Sequence, residues 1–307
     1  MLSARKIPCL FDLDARFRIM DQFDGYQQIL SLASPPLEGL GPVSVTVDLT
    51  RLGNEGLAGL VRAYPDRFVG ALGSLPLNDP GASMRELERL HGSPEFVGVQ
   101  IHSNVCGRPL DAPETLEVIE ESLRRRMPIY IHPWRTANVA DYAGETSSPH
   151  YLWQVFGWPY ETTIAMARLV FAGLFDRHPD ATIITHHTGA MVPYFGDRIK
   201  AMYDLFTAHG TDRAAGRLAH PPHWYFARFY ADTALNGGVH ALRCALEYFP
   251  PERVLFGTDT PFDAEGGSRN IRETIAALDA SGLSPARRQM IDEGNLRRLL
   301  TNRSRET

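Results

Sequence analysis

Three short apolar runs in this chain stop at side chains able to bind a metal ion. IYIHPW reaches His132, TIITHHTGA reaches His186 and His187, and VLFGTDTPF reaches Asp259. Imidazole and carboxylate brought together from separate strand ends suit Zn²⁺ or a similar divalent ion. Such an ion polarises a substrate oxygen or lowers the pKa of bound water. A histidine outside the ligand set, with an ordinary pKa of about 6.5, is suited to carrying a proton. Spacing leaves a blander alternative open, with His132 a satisfied core histidine and Asp259 a turn residue before Thr260-Pro261.

His186 and His187 are adjacent, and neighbouring strand residues face opposite ways. An unbulged strand therefore presents one of them to a site, and parity does not say which. Asp232, in FYADTA, stands near another strand end, where it either orients a ligand histidine or caps a turn. His102 closes VGVQIH and lines the mouth or packs, packing being the reading preferred. In His220-Pro221-Pro222-His223 the prolines argue against a regular helix, so these histidines are read as loop or interface residues.

The elements that must position these side chains alternate along the chain. Strands are predicted at 27–34, 67–76, 96–102, 128–133, 181–187, 228–234 and 253–259, and amphipathic stretches at 54–64, 81–91, 112–126, 162–177, 240–249 and 268–280. Pro179 and Pro250-Pro251 supply helix stops. Alternation of this kind implies parallel strands joined by right-handed crossovers, in which the carboxyl ends of the strands carry the chemistry. The count is one strand short of a closed (β/α)8 barrel. Segment 135–160, rich in Tyr and Trp, reads as a loop over the site, and a second loop is expected from about Ala208 to Trp224.

A chain of 307 residues with 44% hydrophobic and 22% charged content fits one α/β domain spanning 1–307. A net charge of −5 gives no footprint for nucleic acid. No stretch is long and apolar enough to be a membrane span. Cys9, Cys106 and Cys244 are widely spaced and odd in number, which points to a reducing cytoplasm rather than a disulfide framework. The absence of GxSxG and GxGxxG motifs argues against a serine hydrolase and a dinucleotide-dependent dehydrogenase.

Taken together, IHPW (131–134), GWPYETTIAMARLVFAGLFDRHP (157–179), ITHHTGAMVPYFGDRI (184–199), GTDTPF (257–262) and EGNLRRLL (293–300) resemble the amidohydrolase-related barrels grouped with aminocarboxymuconate-semialdehyde decarboxylase. The resemblance implies an α/β fold, a TIM-type (β/α)8 barrel of the metal-dependent hydrolase superfamily. It also implies His132 and Asp259 as metal ligands, zinc foremost, and His187 as the catalytic histidine, because His187 keeps the family distance to Pro193 and Arg198. Arg198 would bind a substrate carboxylate across a homodimer interface, a task suited to a planar guanidinium.

The family's first strand, ending in His-x-His, has no counterpart here. FDLDARFRIMDQFDGYQQILSL (11–32) resembles the helix and second strand that come after it in the family. The first strand is thus expected to be missing or replaced, either because Met1 is an internal start or because the protein lacks it. In the latter case residues 1–10 or a partner chain would cover the gap. Three functions stand as expectations. The first is a metal-dependent carboxy-lyase for a small unsaturated or aromatic acid. The second is a metal-dependent hydrolase of C–O or C–N bonds, and the third a metal-poor remnant that binds a small acid.

Overall fold

The computed structural model describes residues 6–210 and 218–304. Residues 211–217, within the second expected loop, lie outside the described residues, as do residues 1–5. The seven predicted strands all form, the third with the expected bounds and the other six shorter than expected. They are β1 (Gln28–Leu30), β2 (Phe68–Ser74), β3 (Phe96–His102), β4 (Ile129–His132), β5 (Ile183–Thr185), β6 (Tyr230–Asp232) and β7 (Val254–Leu255). They pair in chain order, every pair parallel.

The longer helices, before, between and after the strands, are α1 (Leu13–Met20), α2 (Val43–Ala63), α3 (Pro80–His91), α4 (Pro113–Arg124), α5 (Gly157–Phe171), α6 (Val192–Ala208), α7 (Val239–Tyr248), α8 (Ser268–Ala280) and α9 (Asn295–Ser304). Asp12 and Asp79 cap the first turns of α1 and α3 by accepting from the N–H groups of Ala15 and Ala82. Every residue of β3 is buried, as a strand covered on both faces requires. Strand approach is close enough that a Cβ on Gly98 would lie 2.6 Å from the carbonyl oxygen of Pro128, so only glycine fits there.

Among the described residues β1 and β7 do not pair, and the seam between them is packed by side chains instead. Tyr26 Oη and Thr258 Oγ1 are 3.3 Å apart, and the Tyr26 and Phe256 rings meet at 6.3 Å. The thiol of Cys9, in the turn Pro8–Leu10, donates to the carbonyl of Gly266. Arg16 of α1 donates to Cys9 O and Gln28 Oε1, tying the turn to β1. Part of the stretch expected to cover the gap thus does so, together with α1. At the other end of the chain, buried Asn295 donates to the carbonyls of Pro251 and Val254 and docks α9 beneath β7.

Several predicted boundaries move. α2 begins at Val43 rather than 54, although VSVTVDLT is rich in β-branched residues. Thr46 and Thr50 return their hydroxyls to the carbonyls of Val43 and Thr46 and are buried, so packing outweighs propensity. The expected loop 135–160 contains a helical turn, Leu152–Val155, and the first residues of α5. Gly173, at a φ of 73°, breaks the predicted 162–177 helix into α5 and the turn Leu174–Arg177. Pro222 opens a short helix, Pro222–Phe226, because proline is tolerated at a first helical position; His220 stacks on Trp224 at 4.1 Å.

Candidate active site

Polar side chains collect at the carboxyl ends of the strands. His102 and His132 are the last residues of β3 and β4 and are direct partners in the parallel register, with rings 5.5 Å apart. The Ser34 hydroxyl, in the loop after β1, lies 3.3 Å from His102 Nε2 and 3.4 Å from His132 Nδ1. His186 and His187 follow β5, Asp232 ends β6, and Asp259 stands beyond β7. His132 is 5.3 Å from the His186 ring and 6.1 Å from the His187 ring.

Both adjacent histidines therefore join the cluster, where an unbulged strand would present only one of them. The strand stops at Thr185, and the backbone changes sign at the next step. His186 is extended, whereas His187, Thr188, Gly189 and Ala190 all have positive φ. Strand alternation does not apply across such a turn. Left-handed backbone at non-glycine residues costs on the order of 1–2 kcal/mol each and is retained where the surroundings enforce it. Here Asp232 does so: its Oδ1 accepts from the N–H groups of His187 at 2.8 Å and Ala234 at 3.1 Å. Its Oδ2 pairs with His186 Nδ1 at 2.8 Å. Gly257 makes room for this carboxylate, since a Cβ there would sit 2.9 Å from Asp232 Cβ.

Charge is distributed unevenly. Burial, with His186 nearby, pushes His102 down to about 3. Burial and the surrounding imidazoles push His132 well below its ordinary value. Burial alone would depress His187 too, but the Asp259 carboxylate, with Nε2 and Oδ2 3.9 Å apart, and Asp232 hold it above the ordinary value. Burial would raise Asp232, yet its bond to His186 and the charges of both histidines keep it low. The cluster thus holds neutral imidazoles beside one poised to carry a proton.

Two of its nitrogens, His186 Nε2 and His187 Nδ1, are buried without a hydrogen-bond partner. An imidazole fixed by a carboxylate on one nitrogen, with the other unused, is the usual setting of a metal-binding histidine. The donors suit a divalent ion in type: the imidazoles of His132 and His186 and the Asp259 carboxylate. As placed, no group of three or more His, Cys, Asp or Glu side chains among the described residues closes on one ion. Arg198 stays outside the cluster, exposed on α6.

The segment after β4 wraps the cluster. The Trp158 ring lies 5.3 Å from His132, and its indole N–H donates to Arg135 O. Trp134 is 6.1 Å from His102, and Asn104 donates to Trp134 O. Sequence reasoning assigns no role to Ser34, places Trp158 only among the aromatics of the loop 135–160, and leaves His102 as packing. The position of His102 at a strand end is the one available signal.

A family model described as amidohydrolase matches residues 10–301. The gamma-resorcylate decarboxylase of Rhodococcus jostii is 31% identical over 92% of this chain and 85% of that protein. The 2-amino-3-carboxymuconate-6-semialdehyde decarboxylase of Dictyostelium discoideum is 30% identical over 82% of this chain and 67% of its own length. Among solved structures, a dihydroxybenzoic acid decarboxylase from Polaromonas, with bound manganese and the inhibitor 2-nitroresorcinol, superposes with a TM-score of 0.79 at 27% identity. That match covers 94% of this chain and 85% of the other.

Proposed function

The chain belongs to the amidohydrolase family and is a carboxy-lyase of it, and we propose that His132, His187, Asp259 and Arg198 carry the non-oxidative loss of CO₂ from a small aromatic or unsaturated acid. The observation that carries the assignment of roles is the asymmetry of the cluster. Asp259 raises the proton affinity of His187 against the effect of burial, while burial lowers that of His102 and His132.

His132 and Asp259 would hold the divalent ion, and His186, with its free Nε2 and its bond to Asp232, offers a further nitrogen. When bound, the ion supplies polarisation of a substrate oxygen. These nitrogen and oxygen donors suit zinc, with manganese the alternative that the Polaromonas relative holds. His187 Nε2 delivers its proton to the carbon that bears the departing carboxylate, so that a C–H bond replaces the C–C bond and CO₂ leaves. Asp259 stabilises the imidazolium before transfer, and Asp232 fixes the turn that aims it. Trp158 and Trp134 limit water around the reacting carbon.

Arg198 would reach a substrate carboxylate from a second copy of the chain. Supporting this, α6 also exposes Tyr194 (79%), Phe195 and Leu205, and α5 exposes Tyr160 and Ile164. Phe171 of α5 stacks on Tyr203 of α6, joining the two helices into one aromatic-rich surface. No described helix is long and apolar enough to cross a membrane, and the free state of Cys9, Cys106 and Cys244 is in keeping with a cytoplasmic enzyme.

The test is CO₂ release by the metal-loaded protein from 2,6-dihydroxybenzoate in heavy water, with deuterium appearing at the vacated carbon. Hydrolysis of a lactone or amide with no CO₂ from any aromatic acid would replace this reading with the hydrolase one. Elemental analysis of the purified protein decides between zinc and manganese.

A further inference from the structure

A second recess opens beside the histidine cluster, on the side of β1, β2 and β3. Its polar wall is Glu38, Ser74, Gln100 and His102, and Leu32 and Leu75 are part of its apolar wall. Among the described residues no lysine or arginine lines it. Glu38 lies in the short turn Leu37–Gly39 and is only 8% exposed. Its main-chain carbonyl is held by Asn78 Nδ2 at 3.4 Å and by the thiol of Cys106, and its carboxyl accepts from its own N–H and that of Leu77. Gln100 is likewise fixed, donating to Leu32 O at 2.9 Å. The groups facing the recess are thus positioned before anything enters.

We propose that this recess receives a hydroxyl group on the ring of the substrate and that Glu38 is the residue that selects it. The inference rests on the reading of the substrate as a small aromatic acid. A carboxylate has more acceptor sites than two N–H groups use, so Glu38 retains capacity for a ligand. Burial pushes its carboxyl above the ordinary range, and a protonated carboxyl both donates and accepts. A hydroxyl complements either state, since it too both donates and accepts. An anionic substituent would meet Glu38 with no lysine or arginine among the described lining residues to balance it. The recess therefore excludes the carboxylate that is to be lost and turns it toward the His187 side. His102, shared by both sites, links them through Ser34.

The test is calorimetric binding of phenol and resorcinol to the metal-loaded full chain. Neither has a carboxyl to lose, so the measurement reads this recess even if the chain decarboxylates nothing. Resorcinol is expected to bind about tenfold more tightly than phenol, the value of one good hydrogen bond to a fixed group. Glu38→Met should bring the two within about twofold, and Glu38→Gln, which keeps hydrogen-bonding capacity, should preserve most of the ratio. An unchanged ratio in Glu38→Met would make the carboxyl merely a pin for Leu77 and sink the proposal. If that variant does not fold, the structure of the native protein with resorcinol decides, by whether a hydroxyl lies within hydrogen-bond distance of Glu38. Tighter binding of benzylamine, an alkylammonium cation at neutral pH, than of phenol would assign the recess to a cation instead.

Discussion

The two sides of the barrel mouth use similar residue types for opposite electrostatic ends. On the side of β5 to β7, histidines are backed by carboxylates: His186 by Asp232, and His187 by Asp259. On the side of β1 to β3, His102 has only the Ser34 hydroxyl, and Glu38 has only backbone N–H groups. Burial is common to both, so burial does not make the difference. What differs is whether a buried ionisable group has an oppositely charged neighbour. With one the charged form is favoured and the group can move a proton; without one burial disfavours the charged form and the group is suited to recognition.

If that contrast is right, the largest losses come from changes on the charged side. His187→Asn should lower kcat by about 10²- to 10⁴-fold, the range for removing a proton donor, with KM changed far less. Equal losses from His102→Asn would erase the distinction between the two sides. Asp232→Asn should come next. It leaves His186 and the strained turn at His187 without their anion, and breaking such a buried pair costs about 3–5 kcal/mol, readable as a lowered melting temperature together with lost activity. Gly257→Ala attacks the same carboxylate by shape alone. Its new Cβ would stand 2.9 Å from Asp232 Cβ, an overpacking worth about 1–3 kcal/mol. A stable Gly257→Ala variant with full activity would show that the position of Asp232 is not critical.

The legible part of the molecule is the part with period. All seven strands, their parallel order and the candidate roles of His132, His187 and Asp259 can be read from apolar runs that stop at polar residues and from the motifs around them. The site residues that escape such a reading sit where periodicity ends. His186 is misplaced when strand alternation is carried one residue beyond Thr185, into a turn that only the Asp232 carboxylate explains. Ser34 and Glu38 belong to SPPLEG, a loop with no repeat to read, and their meaning depends on β3, far away in sequence. α6 is not visible as a periodic stretch, its first turns carrying Pro193 and Gly196. Gly196 packs against the ring of Tyr248, a contact that no local pattern encodes.

The smallest effect expected is also the most selective probe of the neutral side. Burial raises the Glu38 carboxyl above its ordinary value of 4.5. A group raised in this way contributes its full stability below the unfolded-state value and loses it as pH rises through the folded one. The native protein should therefore bear a growing penalty as pH climbs above about 4.5, because the unfolded chain ionises Glu38 freely and the folded chain resists. Glu38→Gln has nearly the same shape and does not titrate. Its melting temperature should match the native protein near pH 4 and exceed it modestly at neutral pH. An advantage that is largest at low pH, or a variant less stable throughout, would mean that Glu38 is charged and paired. The β1 to β3 side would then work like its neighbour.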